Sequence, residues 1–176
     1  MKSLLLIVFS IILLNGCAAT PAKMENMLPS KVTIIEHHPY GVITKITGGQ
    51  KTTLMSQSKI SNEQFQKALV EAIKNNNVFS RVTTINGADY LLEVDISDLW
   101  QPKAGFNMSV TLTAYWKITN LDSSQEIWED TIVSEYTATM RDALEGGKRL
   151  RLATEGAARR NIKKGIEKIS TLNLGK

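Results

Sequence analysis

A strict alternation over residues 106–119 constrains the fold more than any other feature of the chain. Phe106, Met108, Val110, Leu112, Ala114, Trp116 and Ile118 occupy every second position. Asn107, Ser109, Thr111, Thr113, Tyr115, Lys117 and Thr119 occupy the rest. Successive side chains of a strand point to opposite faces, so this run belongs in a sheet with one face on a core and the other near water.

The flanking segments extend the same pattern. Asn120 to Ser124 reads as a hairpin turn, and Ile127 to Tyr136 as the returning strand, with Trp128, Ile132 and Tyr136 on one face. Tyr90, Leu92, Val94 and Ile96 predict a strand over 88–98, and residues 78–85 return toward the sheet. Earlier, 32–36 reads as a first strand, His37 to Gly41 as a turn, and 42–46 as a second strand ended by Gly48 and Gly49. Ser61 with Gln64 forms a capping box, and Ile60 with Phe65 a hydrophobic staple. Phe65, Ala68, Leu69, Ala72 and Ile73 then recur at helical spacing, which predicts a helix over 62–76. A second helix is expected over 148–172. Ala158, Ile162, Gly165, Ile166, Ile169 and Leu172 lie on one stripe, and Arg160, Lys163, Lys164 and Lys168 fall largely opposite. Together these elements predict an α+β two-layer sandwich: a mainly antiparallel sheet of about five strands with two helices on one face.

The N-terminus imposes a different constraint. Lys2 precedes an apolar run from Leu4 to Leu14, broken only by Ser10, and then Asn15-Gly16-Cys17. A charged start, a short apolar run and a small residue before a cut make a secretory signal. The run is too short for a permanent span, which needs roughly 20 apolar residues. Leu14-Asn15-Gly16-Cys17 resembles the lipobox of bacterial lipoproteins. The resemblance implies a diacylglycerol on the Cys17 thiol, cleavage before it, and acylation of the new amine. The plainer alternative is an isolated buried cysteine behind an ordinary signal. Cys17 is the only cysteine in the chain, so an internal disulfide framework and a multi-cysteine metal site are excluded. Ala18 follows it; under the sorting rule of enteric-type lipoproteins that implies the outer membrane, facing the periplasm, rather than the inner membrane. The expected division is a signal peptide over 1–16, a lipidated and flexible tether over 17–31, and a single periplasmic domain over 32–176.

Three stretches resemble a family of small, uncharacterised proteobacterial lipoproteins: Ser56 to Ala68; Trp100-Gln101-Pro102 with Gly105; and Tyr136-Thr137-Ala138-Thr139 followed by Asp142-Ala143 and then Arg149-Leu150-Arg151-Leu152-Ala153-Thr154-Glu155-Gly156-Ala157-Ala158-Arg159-Arg160-Asn161-Ile162. By element order the domain is also similar to the periplasmic lipoproteins that activate penicillin-binding proteins and to the amino-terminal domain of TolB.

The 176 residues carry 21 Lys and Arg against 17 Asp and Glu, a net charge of +4. That excludes a strongly basic nucleic-acid coat and an acidic disordered tail. His37 and His38 are adjacent, so on a strand they point to opposite faces and do not share a metal. Neither a Gly-x-Ser-x-Gly elbow nor a phosphate loop is present. Glu93 and Asp95 share the solvated face of their strand. No catalytic residue, metal or cofactor is expected. The candidate binding residues are Arg149, Arg151, Arg159, Arg160, Lys163, Lys164 and Lys168, with Arg141 and Lys148 nearby, and Trp100 in a loop beside Pro102 and Gly105. The cations suit anionic headgroups, a polyanionic glycan or an acidic protein face; the bland reading is a solvated helix face. Glu155 sits four residues from Arg151 and from Arg159, which predicts a structural ion-pair network. The chain is expected to be a non-enzymatic binding or accessory lipoprotein of the cell envelope. It would meet the membrane through Cys17 and an envelope protein through its domain, without nucleic acid. The alternative is a lipid- or glycan-binding carrier.

Overall fold

The alternating run pairs with a neighbour on each side, which places it inside a five-stranded sheet. The computed structural model describes residues 19–53, 56–84 and 87–175; the expected signal peptide and Cys17 lie outside them. In chain order the elements are a one-turn helix α1 (Met24–Met27), β1 (His38–Thr47), α2 (Asn62–Asn75), β2 (Phe79–Val82), β3 (Tyr90–Trp100), β4 (Met108–Asn120), β5 (Glu126–Ala138) and α3 (Gly146–Ile169). The sheet order is β2-β1-β3-β4-β5. β3, β4 and β5 form an antiparallel meander. β1 runs parallel to both β2 and β3, so the sheet is mixed. Its parallel half follows from the connection: α2 is the crossover that lets β2 run alongside β1.

The two-layer α+β architecture is as expected, with α1 as an added third helix. Along β4 every second residue from Met108 to Ile118 is buried. Against that face lie Ala153, Ala157, Ala158, Ile162 and Ile166 of α3, with Phe65, Leu69 and Ile73 of α2 completing the core. Small residues let α3 approach closely. A Cβ on Gly156 would fall 2.3 Å from the Tyr136 ring, and one on Gly165 2.5 Å from the Trp116 ring. The buried polar groups of this interface satisfy one another. Trp116 Nε1 donates to Asn161 Oδ1 at 2.9 Å, Asn161 Nδ2 to Ile132 O at 2.8 Å, and Ser134 Oγ to Ala157 O at 2.9 Å.

Three local expectations are corrected. Residues 32–36 are not a strand. They run past the end of α3, where Ile35 N–H donates to Ser170 Oγ at 3.2 Å and Glu36 N–H to Ser170 O at 2.9 Å. Strand pairing begins instead at His38, inside the expected turn. The register with β2 is irregular between His38 and Gly41, where Pro39 has no N–H to offer the ladder. Residues beyond Thr20 do not form a free tether. Ala22, Met27 and Val32 are buried in the core, because this segment lies as a strap across α2 and α3. The capping box is half formed: Ser61 Oγ accepts from Gln64 N–H, but Gln64 Oε1 accepts from Met24 N–H at 3.0 Å and so holds the strap.

Candidate functional site

The strap meets the first half of α3 at Glu155. This carboxylate is fully buried, and it accepts from Lys23 N–H at 3.0 Å and Asn26 Nδ2 at 2.9 Å. Arg151 Nε stands 3.7 Å away and Arg151 Nη1 donates to Thr20 Oγ1 at 3.2 Å. Arg159 Nη1 donates to Asn26 O at 2.5 Å. Glu155 and Arg151 thus form a structural pair, as their spacing predicts. Arg159 serves the same joint by holding the backbone of α1. Asn26, Tyr136, Asp142, Leu152, Glu155 and Arg159 border a cleft of about 110 Å³, room for a few waters.

The remaining candidate cations do not form one free patch. Arg149 is only 6% exposed. It donates to Ala143 O at 2.9 Å, Leu144 O at 2.5 Å and Gly105 O at 3.2 Å, tying the β5–α3 loop to the β3–β4 loop. Arg160, Lys164 and Lys168 recur at every fourth position beside β5, the last strand of the sheet. Arg160 donates to Glu135 O at 2.7 Å, Lys164 to Val133 O at 2.8 Å, and Lys168 pairs with Asp130. Arg160 also lies over the Tyr136 ring, 5.0 Å from its centroid. Lys163 pairs with Glu167 on its own helix at 3.8 Å. These side chains cover an edge strand, a surface that proteins commonly protect from pairing with other chains.

Trp100 lies at the end of β3, not in a loop. A bulge between Ile96 and Asp98 shifts the register, so Leu99 opposes Leu112 on the core face and Trp100 opposes Thr111 on the outer face. Trp100 is therefore 57% exposed. Phe106, read as the first core residue of the alternating run, lies ahead of β4 and is 79% exposed. Leu144, which sequence reasoning passed over, is 82% exposed. An isolated leucine in the charged stretch from Arg141 to Lys148 was the available signal.

The outer sheet face is polar. Glu93 bridges Lys45 and Lys117, each at 2.9 Å, Thr47 Oγ1 donates to Asp95 at 2.7 Å, and Tyr115 donates to Glu129. His37 Nδ1 lies 2.7 Å from Asn77 O, and His38 Nε2 lies 3.0 Å from Ile169 O, so the two imidazoles serve different backbone carbonyls. Hydrogen bonding to Lys117 and then Lys45 holds the Glu93 carboxyl below its ordinary range. Its contribution to stability is complete above a pH of about 4.3, the unfolded glutamate value, and is lost as pH falls through the lower folded value. Glu93→Gln is therefore expected to flatten the dependence of urea midpoint on pH below that point, by no more than about 1 kcal/mol for such exposed pairs. An unchanged acid limb would show that other carboxylates carry it.

No family model matches the chain, and no curated protein matches its sequence. Solved structures do share the fold. A Xanthomonas campestris protein of the DUF330 family model aligns with TM-score 0.62 and 12% identity, over 82% of this chain and 90% of that one. A hypothetical protein of Chlamydia trachomatis aligns with TM-score 0.58 and 7% identity, over 76% and 97% of the two chains. A PelC dodecamer subunit from Paraburkholderia phytofirmans aligns with TM-score 0.51 and 9% identity, over 78% and 93%. At these identities the likeness establishes a shared architecture: a mixed sheet with its helices on one face.

Proposed function

We propose that the chain is a lipid-anchored lipoprotein of the bacterial envelope, held at the outer membrane and facing the periplasm. There it acts without catalysis as a binding or accessory module in envelope assembly or maintenance. The observation that carries this reading is the position of Leu14-Asn15-Gly16-Cys17, the chain's only cysteine, behind an apolar run and three residues before Thr20, where the strap takes hold of the domain. Several acyl chains, at about 0.8 kcal/mol per buried methylene, make a stable anchor.

The accessory role is favoured over a lipid or glycan carrier by the packing of β4. Its apolar face is filled by α3 to the point where Gly165 has no room for a Cβ against Trp116, so a ligand has no space at that contact. Of the α3 cations, Arg160, Lys164 and Lys168 engage β5, while Arg149 engages loop carbonyls and Arg151 and Arg159 engage the strap. That leaves the polar outer face of the sheet and the short β2 edge to meet an envelope protein. Cys17→Ala is expected to abolish incorporation of labelled palmitate and to move the protein out of the membrane fraction. Persistent lipid label would overturn the anchor. Photo-crosslinking in cells from Thr113, on the outer face, is expected to capture a specific protein; its failure to do so would overturn the accessory role.

A further inference from the structure

We infer that the end of the domain built by the β3–β4 and β5–α3 loops is a membrane-docking surface that dips apolar side chains into the phospholipid interface beside the anchor. The inference rests on the acylation of Cys17 proposed above.

Large apolar side chains left exposed are concentrated at this end. Among the described residues, Trp100, Phe106, Met140 and Leu144 are 57%, 79%, 44% and 82% exposed. They belong to neighbouring strand ends, since Met108 at the start of β4 pairs with Ala138 at the end of β5. The two loops are not independent. The Arg149 guanidinium ties Ala143 O and Leu144 O to Gly105 O, so both are held on one rigid support. Large exposed apolar side chains gathered at one end of a domain within a polar rim suit an interaction site. Its rim is mixed: Lys103, Arg141 and Lys148 stand with Glu145 and Asp142, and the Asp142 carboxylate is tied to Thr139 N–H and Oγ1. A near-balanced rim suits insertion driven by apolar burial rather than attraction to anionic lipid.

The anchor says what covers the patch. The strap is fixed at Thr20 by Arg151 Nη1 and by Ser58 Oγ, which donates to Thr20 O at 2.8 Å. Ser58 in turn is bound to the β3–β4 connection: Gln101 Nε2 donates to Ser58 O at 2.6 Å, and the adjacent Gln57 Nε2 to Pro102 O at 2.7 Å. The chain from Cys17 to Thr20 spans at most about 11 Å, three Cα steps. An acylated Cys17 therefore holds this end, and not the β4–β5 hairpin at the far end of the sheet, against the headgroups.

The test uses the full lipidated protein in vesicles of phosphatidylethanolamine and phosphatidylglycerol. Leu144→Cys carries an environment-sensitive fluorophore, and Leu121→Cys on the far hairpin carries the same label as reference. At Leu144 the emission is expected to shift to the blue, to be quenched by spin-labelled lipid, and to resist aqueous iodide. At Leu121 it is expected to stay aqueous. A Leu144 label that stays aqueous while mass spectrometry shows acylated Cys17 would overturn the docking surface and leave the anchor standing. Absence of acyl mass on Cys17 would overturn the anchor itself. Shielding from iodide without quenching by lipid would show that a protein covers the patch, and would also overturn the inference.

Discussion

Gly165→Ala should destabilise this protein, although the same change in most helices is stabilising. Alanine is favoured over glycine in a helix interior by about 1 kcal/mol. Here a Cβ would sit 2.5 Å from the six-membered ring of Trp116, a fully buried side chain held by its bond to Asn161. Neither the ring nor the helix has a cheap way to yield, and overpacking of this kind costs about 1–3 kcal/mol. The net loss should appear as a lower urea midpoint. Trp116→Phe alone should also destabilise, because it leaves Asn161 Oδ1 without its donor in a buried site, at about 1–3 kcal/mol. In the double variant the smaller ring makes room for the new methyl, so the two losses should combine to clearly less than their sum. Strict additivity would mean that α3 and β4 are not in the close contact described.

Glu155→Ala should have the larger effect. Its carboxylate is buried and serves Lys23 N–H, Asn26 Nδ2 and the Arg151 guanidinium. Removing one side of a buried charged pair costs about 3–5 kcal/mol, since the remaining partners stay desolvated. The loss should be localised. Hydrogen exchange should rise first at Lys23 and in residues 33–36, while amides of β3 and β4 keep their protection. Glu155→Gln keeps one acceptor and should lose less. Uniform deprotection across the sheet would show that the strap is part of the global core rather than a separable clamp.

How much of this was legible in the residues depends on the range of the forces involved. The alternation of β4 and the cap of α2 are local, and both were readable: side chains two apart share a strand face, and Ser61 reaches only to Gln64. The strap was not readable. Its hydrogen bonds to Glu155 join residues 132 and 129 positions apart, and a polar stretch with two prolines carries no periodicity to announce burial. Nor could the parallel pairing of β1 with β3 be seen, because a strand's pattern does not tell the direction of its neighbour. Trp100 was identified as exposed by its company of Pro102 and Gly105, but the physical cause is the bulge after Ile96. The basic stripe of α3 was plain as charge. Its contact with the carbonyls of Val133 and Glu135 is tertiary, and it lays the candidate binding face along an edge strand.

The strap also has a mechanical meaning. In the lipid-anchored protein proposed above, a pull on the lipid would enter the domain at Thr20 and Lys23 and be borne by side chains of α3 and by Ser58 and Gln64, not by the sheet ladder. While the strap stays docked, the proposed anchor would be a stub and the domain would ride at fixed height. Should the whole strap come away, its core residues Ala22, Met27 and Val32 included, the roughly 20 residues back to β1 would unspool to about 70 Å of reach, and a protein seated on one surface would become one able to search across the space above it.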